Sequence, residues 1–292
     1  MEVIVESSHP HNARIVILHG RAAAMEIPEL FEREWVASAR YGLQRIGYDH
    51  AACVPVSMPF YGQFWRPDAF TEEPKFDDGT GRGPERGLLP HFDFGRAIEA
   101  FGEWIDGRTG ASGKVLNHLL DDTREYYERS DLRSLTDALV EEACQGPGEV
   151  VLVGFSMGSL VAYNVLAHAV GGFPVKSLVT CGSPLGDPAF KQRAASVVQG
   201  GSLQFPTCLR MWANIWNDDD PATRVHELTS FFEGNHEIQS APTRGRGPSP
   251  INPAAAHNGS DYLSSKALAA AVATGLRAAD QIASAPREGG SL

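Results

Sequence analysis

The sequence predicts an α/β protein with a mostly parallel central sheet and helices on both faces. The stretch Val150–Val161 joins an apolar run without alternation to a glycine-containing turn and then to apolar residues at helical spacing. That order is typical of a strand buried on both faces of a parallel sheet and followed by a helix. A helical pattern from Asp122 to Cys144 leads through Gly146-Pro147-Gly148 into this strand, which completes a βαβ unit.

The chain-wide properties indicate one α/β domain over residues 1–285, with a disordered tail at 286–292. The formal net charge of −11 disfavours nucleic acid and anionic membrane surfaces as partners. No stretch reaches transmembrane length and the first residues lack a secretory signal, so we expect a cytoplasmic location. The four cysteines are scattered, which predicts free thiols and neither a metal site nor another cofactor.

Before the central stretch, the chain reads as strand, helix and strand. An apolar strand from Arg14 to Leu18 ends in His19-Gly20. A helix is predicted to begin at Pro28, because proline suits the first helical turn, and to run to Gly47. The next strand is expected over residues 51–56, near an edge of the sheet because Pro55 cannot donate a hydrogen bond.

An irregular insertion is predicted over residues 59–121. Its first part combines glycines, prolines and acidic residues with many aromatic side chains, including Phe64 and Trp65. Two interpretations are open: a lid that covers the site, or a long loop that packs on the body through its aromatics.

After the central stretch, the helix is expected to end near Gly171-Gly172. Further strands are predicted from Val175, over residues 208–216, and over 235–239, with a weakly helical excursion at 186–206. A last helix, with Asp261 as its N-cap, follows the loop 241–256.

The turn in the central stretch, Gly154-x-Ser156-x-Gly158, matches the nucleophile elbow, in which a strained strand-to-helix turn exposes a serine hydroxyl. A structural turn with an inert serine is the alternative. In these residues the sequence resembles the α/β-hydrolase superfamily, and its lipase-like and esterase-like members above all. The resemblance implies an α/β-hydrolase fold with Ser156 as nucleophile. It also implies an oxyanion hole made by the backbone N–H groups of Arg21 and Met157. After His19-Gly20 the chain continues as Arg-Ala-Ala-Ala, without the glycines that many lipases have there.

A serine nucleophile needs a histidine to take its proton and a carboxylate to orient that histidine. In the family these follow the serine in the order acid, then histidine. Asp220, in Asn217-Asp218-Asp219-Asp220-Pro221, is the expected acid, with Asp218 as the alternative. His257 precedes the last helix and is the expected base, in preference to His226 and His236.

The resemblance therefore implies a serine hydrolase that cleaves a carboxylic ester of a small-molecule or lipid acyl substrate through an acyl-enzyme on Ser156. The same triad also serves acyl transfer and the cleavage of thioesters and amides, so these stay open. A hydrolase-fold binding protein without turnover is a third interpretation. The sequence does not indicate an oligomeric state.

Overall fold

The computed structural model of the 292-residue chain describes residues 12–20, 27–48, 50–65, 124–169, 171–198, 201–223, 225–234, 236–245 and 255–284. Three of the expected features are not among these residues. Arg21, residues 66–121 of the insertion and the tail 286–292 lie outside the described residues.

Within the described ranges six strands form one sheet, and every neighbouring pair in it is parallel. Along the sheet the order is β2-β1-β3-β4-β5-β6. The strands are β1 Ala13–Leu18, β2 Val56–Ser57, β3 Glu149–Phe155, β4 Val175–Cys181, β5 Met211–Trp216 and β6 Gln239–Pro242. Because all strands run the same way, their carboxyl ends meet at one edge of the sheet, where α/β proteins place their ligands.

Strand β3 is at the centre of the sheet, between β1 and β4. Its residues Val150–Val153 are almost completely buried, as the run without alternation predicted. β-branched side chains fit such a strand because their stiff χ1 angles lose little further freedom on the pleated surface. At its end Gly154 pairs with Leu18 on one side and with Thr180 on the other.

The helices of the described residues begin and end close to sequence signals. Helix α1 begins at Pro28, and its last turn closes through Gly47 at φ 71° and the bond from Tyr48 N–H to the Leu43 carbonyl, which forms a Schellman motif. The helices are α1 Pro28–Arg45, α2 Ser130–Cys144, α3 Met157–His168, α4 Pro188–Val197, α5 Gly259–Leu263 and α6 Lys266–Ser284. None of these described helices is long and apolar enough to cross a membrane.

Two hydrophobic layers enclose the sheet. On one face, alternate strand residues such as Ile15 and Val151 pack with α1, α5 and α6. On the other face, Val16 and Leu152 pack with α2, α3 and α4. The period of two along each strand produces this division. Together with the parallel sheet, it confirms the α/β class and the helices on both faces.

Two predicted strands are shorter than expected at their first residues. Residues 51–54 form a turn, in which Cys53 and Val54 donate to the His50 carbonyl, so β2 begins only after Pro55. Residues before Met211 form another turn, closed by the bond from Leu209 N–H to the Pro206 carbonyl. The position of β2 at the end of the described sheet confirms the edge assignment.

The last strand begins later in the sequence than the start of the predicted range 235–239. Ile238 N–H donates to the Thr229 hydroxyl (3.1 Å) and not to a neighbouring strand, so β6 begins at Gln239. His226 lies in an irregular segment between β5 and β6.

Helix α3 ends at His168, near Gly171 as the sequence predicts. The final helix is divided into α5 and α6, and the N-cap of α5 is Asn258, whose side-chain oxygen accepts Asp261 N–H at 3.0 Å. Asp261 is therefore the capped residue and not the cap, because Asn at this position satisfies a free N–H of the first turn.

The described start of the insertion packs on the body. Tyr61 and Trp65 are buried in the same hydrophobic cluster as Leu160 of α3, with Phe64 against its border. For these residues the structure supports a packed loop, whereas the lid interpretation of the later residues lies outside the described ranges.

Arg14 of β1 joins the sheet to the end of α2. Its guanidinium donates to the carbonyls of Ala143 (2.7 Å), Cys144 (2.6 Å) and Gln145 (2.5 Å). The last carbonyls of a helix have no partner within the helix, and a cation is favoured at this negative end.

We expect Arg14→Met to lower the free energy of unfolding by about 2 kcal/mol, since it removes charge-assisted bonds and leaves partly buried carbonyls unpaired. Urea unfolding followed by circular dichroism measures this. The matched control is Arg129→Met, which removes exposed ion pairs to Glu125 and Asp131 and should leave the midpoint near that of the wild type. Equal effects of the two variants would contradict a specific role for Arg14.

Asp137 of α2 is a partly buried carboxylate at the contact with α3. It accepts the Tyr126 hydroxyl (2.5 Å) and the Asn164 amide (2.7 Å). Burial raises the pKa of Asp137 to about 6, against the opposing effect of these bonds. The buried Asn164 Oδ1 has no partner among the described residues.

The folded state therefore holds a proton on Asp137 that the unfolded state releases near pH 3.8. Stability should fall as pH rises from about 4 through about 6, because the folded protein binds more protons in this window. Asp137→Asn removes this slope, so the variant should gain about 2 kcal/mol relative to wild type between pH 4 and 7. Urea unfolding at several pH values tests this, with exposed Glu142→Gln as control. A difference independent of pH would contradict the assignment.

Candidate active site

Ser156 lies on the turn between β3 and α3, at the carboxyl edge of the sheet. Its φ of 53° and ψ of −123° are unusual, and among the described residues no other non-glycine has a positive φ. Such a conformation strongly favours glycine and costs of the order of 1–3 kcal/mol for other residues. Strain of this kind is often found where a side chain must be held in a fixed direction.

Close packing explains the two glycines of the motif. A Cβ on Gly154 would lie 2.7 Å from the Ser159 Cα, and one on Gly158 would lie 2.4 Å from the Leu18 carbonyl oxygen. Neither position can hold a side chain while the backbone stays in place. The glycines therefore let α3 begin directly against β1 and β3, and this forces the sharp turn at Ser156.

Neighbouring groups hold the backbone of the turn. Ser156 N–H donates to the Cys181 carbonyl at the end of β4 (3.0 Å). The Ser159 hydroxyl donates to the Ser156 carbonyl (2.5 Å) and lies 2.7 Å from the Ser183 hydroxyl. The turn is thus bonded both to the next strand and to the loop that follows it.

His257 reaches Ser156 from the loop that precedes α5. Its Nε2 lies 2.9 Å from Ser156 Oγ, and its ring packs on Phe155 with centroids 4.8 Å apart. The His257 side chain is 12% exposed. The distance is suitable for transfer of the hydroxyl proton to the ring.

Asp220 holds the other side of the His257 ring. His257 Nδ1 lies 2.8 Å from Oδ2 and 3.0 Å from Oδ1 of this carboxylate, whose side chain is 0% exposed. A carboxylate acceptor favours the tautomer with hydrogen on Nδ1, which leaves Nε2 free to accept the Ser156 hydroxyl proton. Ser156, His257 and Asp220 are therefore brought together in the arrangement of a Ser-His-Asp triad.

Two further donors bind the Asp220 carboxylate. Ala222 N–H donates to Oδ1 (2.8 Å), and the Tyr262 hydroxyl donates to Oδ2 (2.8 Å). The short 3₁₀ turn Pro221–Thr223 places the Ala222 N–H. A buried charge is tolerated only when it is paired and hydrogen-bonded, and here each oxygen has a donor besides His257.

The alternative acids and bases lie elsewhere. Asp218 and Asp219 are exposed. His226 stacks on Trp216 with centroids 3.8 Å apart, and His236 stacks on Phe205 at 4.3 Å. Of the candidates weighed from the sequence, the structure brings only Asp220 and His257 to Ser156.

Of the two expected oxyanion donors, Met157 lies in the described ranges and Arg21 does not. Met157 is the first residue of α3 and is buried beside Ser156, where the helix N-terminus favours negative charge. Arg21 lies outside the described residues. Gly20, which precedes it, packs against the elbow, since a Cβ there would lie 3.3 Å from Ser156 Cβ.

His19 has a structural position below this site. Its Nδ1 donates to the Gly20 carbonyl (2.6 Å), its Nε2 accepts Tyr61 N–H (3.2 Å), and the Tyr61 hydroxyl donates back to the His19 carbonyl. Burial lowers the pKa of His19 to about 4. His19 is therefore neutral at physiological pH and links the Gly20 turn to the start of the insertion.

Tyr61 and Tyr262 contact the site but were not identified from the sequence. Both occur in apolar patterns, where an aromatic residue is read as core. The spacing His-x4-Tyr between His257 and Tyr262 does not by itself predict a shared contact. It becomes informative only when both side chains are known to face the same carboxylate.

We compared the chain with protein-family models, curated proteins and solved structures, and none of these matched it. Among the residues that the structure describes there is no group of three or more His, Cys, Asp or Glu side chains that could hold a metal ion.

We expect Ser156→Gly to be more stable than Ser156→Ala by about 1 kcal/mol. Both variants lack the hydroxyl, but only glycine relieves the strained φ, and this gain exceeds the entropy that glycine adds to the unfolded chain. Thermal and urea unfolding measure the difference.

The control pair is Ser159→Gly and Ser159→Ala in the first turns of α3. There glycine should be the less stable variant, by about 1 kcal/mol, because a helix disfavours it. The same sign at both positions would show that the turn at Ser156 is not strained.

Proposed function

We propose that this chain is a serine hydrolase of the α/β-hydrolase fold that cleaves carboxylic esters through an acyl-enzyme on Ser156. The observation that carries the proposal is the contact of Ser156 Oγ with His257 Nε2 at 2.9 Å, with Asp220 at 2.8 Å from Nδ1. A hydroxyl, an imidazole and a buried carboxylate in this order form an activated nucleophile.

Fold and chain order support the same assignment. The serine follows the central strand of a parallel sheet on a strained turn, the acid follows β5, and the histidine follows β6. This is the chain order of the α/β-hydrolase triad. The strain at Ser156 also argues against the interpretation as a binding protein, since a turn without a catalytic serine is more stable with glycine there.

The chemistry follows from the geometry in two halves. His257 Nε2 takes the Ser156 proton while Oγ forms a bond to the substrate carbonyl carbon, and the resulting oxyanion is held by the Met157 N–H and a second backbone donor, expected from Arg21. His257 then gives the proton to the leaving alcohol as the ester bond breaks. In the second half, His257 takes a proton from water while the water oxygen bonds to the acyl carbon, and His257 then returns a proton to Ser156 Oγ as the acyl bond breaks. This releases a carboxylic acid and free Ser156.

Acyl transfer and the cleavage of thioesters or amides use the same groups, because only the leaving group or the acceptor changes. Ester hydrolysis stands first on the resemblance of the motifs to lipases and esterases. A small-molecule acyl substrate, no cofactor, no nucleic acid partner and a cytoplasmic location stay predictions from the sequence.

Covalent labelling tests the nucleophile. A fluorophosphonate probe should label the protein at one serine, because only an activated serine attacks phosphorus readily, and Ser156→Ala should abolish this labelling. Mass spectrometry of the labelled peptide identifies the site. Labelling that persists in Ser156→Ala would refute the nucleophile.

The histidine and the acid are tested with matched pairs. His257→Ala and Asp220→Asn should each lower kcat for ester hydrolysis by about 10⁴-fold. The exposed controls His236→Ala and Asp218→Asn should stay within about 2-fold of wild type. A large loss in either control would move the triad to that residue.

A panel of esters, thioesters and anilides that share one acyl group, assayed with and without an added alcohol acceptor, ranks hydrolysis against transfer. The highest kcat/KM on esters, with free acid as the product, is the expected result. Activity confined to thioesters or dependent on the acceptor would replace the proposed reaction and leave the triad in place.

A further inference from the structure

Tyr262 shares a carboxylate oxygen with the catalytic histidine. Asp220 Oδ2 accepts the Tyr262 hydroxyl at 2.8 Å and lies 2.8 Å from His257 Nδ1. Tyr262 is 2% exposed, and its hydroxyl bonds to the acid of the triad. It is therefore placed to act on the histidine through the acid and not on a substrate.

One short segment carries both donors. His257 immediately precedes the Asn258 cap, and Tyr262 is in α5, which that cap begins. Gly259 of the same turn packs on Trp35 of α1, because a Cβ there would lie 2.4 Å from Trp35 Cζ2. Helix α5 is thus fixed to the body of the protein. His257 just before it and Tyr262 within it contact the same carboxylate.

Tyr262 keeps its proton throughout the working pH range. Burial first, and then the negative charge of Asp220, raises the pKa of its hydroxyl well above the ordinary value. The group is a permanent neutral donor to Oδ2. A hydrogen bond to a charged acceptor is stronger than one between neutral groups, so this bond fixes the plane of the carboxylate.

We propose that Tyr262 is a positioning residue of this triad, whose hydroxyl sets the orientation of His257 and the pH at which His257 gains a proton. The inference rests on the proposed function of Ser156, Asp220 and His257. By holding Oδ2, the hydroxyl lowers the negative charge that the carboxylate presents to an imidazolium.

Other polar and ionisable groups lie on or beside the elements that carry Asp220 and Tyr262. The buried Cys181 thiol at the end of β4 is neutral, because burial and the Asp220 charge raise its pKa. Thr223 adds a hydrogen bond near the Tyr262 hydroxyl. In the part of the chain that the structure describes, Asp218 and Asp219 of the Asp220 loop are exposed and Asp261 of α5 is partly buried.

The test is Tyr262→Phe, which keeps the ring and removes the hydroxyl. The pKa of His257, followed by NMR of histidine-labelled protein and assigned with His257→Ala, should rise by about 0.5–1 unit. The acid limb of the plot of kcat/KM against pH should move to higher pH by the same amount. The kcat should fall about 3–10-fold because His257 loses its orientation. The KM should stay within about 2-fold of the wild-type value.

Tyr163→Phe is the matched control, since it removes a hydroxyl of the same kind that binds the Gln204 backbone away from the site. It should leave the His257 titration unchanged. A second variant, Tyr262→3-fluorotyrosine, keeps the bond and makes the donor more acidic, so the pKa of His257 should fall. This opposite shift does not depend on how Tyr262→Phe folds.

The NMR titration needs no substrate, so the two proposals fail separately. A protein without hydrolase activity whose His257 still shifts in Tyr262→Phe would sink the proposed function and uphold this interaction. An active enzyme in which Tyr262→Phe leaves the His257 titration and kcat unchanged would overturn the role of Tyr262, as would a shift to lower pH.

Discussion

The site depends on how closely α3 approaches β1 and β3. Gly158 brings the first turn of α3 against the Leu18 carbonyl, and Gly154, the second-last residue of β3, packs against Ser159. With no room for a side chain at either place, the chain must turn within one residue, which leaves Ser156 at φ 53°. The same approach sets the helix N-terminus behind the serine, where it favours a developing negative charge. Packing between a helix and a sheet therefore creates both the direction of the nucleophile and its electrostatic surroundings.

A second constraint is the burial of Asp220. A carboxylate with 0% side-chain exposure is stable only if donors replace the lost water. The loop after β5 supplies Ala222 N–H, and the segment after β6 supplies His257 and Tyr262. The acid thus joins two loops that are distant in sequence, and its orientation toward His257 is a consequence of satisfying its own charge.

The site residues predicted from the sequence were those that a local motif or the order of residues along the chain indicates. The Gly154-x-Ser156-x-Gly158 turn is local, and Asp220 and His257 follow from chain order within the resemblance, so the structure could place them together. Tyr262 could not be found, because its hydroxyl meets Asp220 only after β5 and β6 are in register. Strand ends were misjudged for a related reason: whether Ile238 donates to a strand or to Thr229 depends on tertiary contacts that hydrophobic periodicity does not contain.

Two buried titratable groups act on stability in opposite directions between about pH 4 and pH 6. His19, whose folded pKa is about 4, costs stability as pH falls, because the unfolded chain takes up the proton first. Asp137, whose folded pKa is about 6, gains stability over the same interval. These two contributions offset each other in mildly acidic solution.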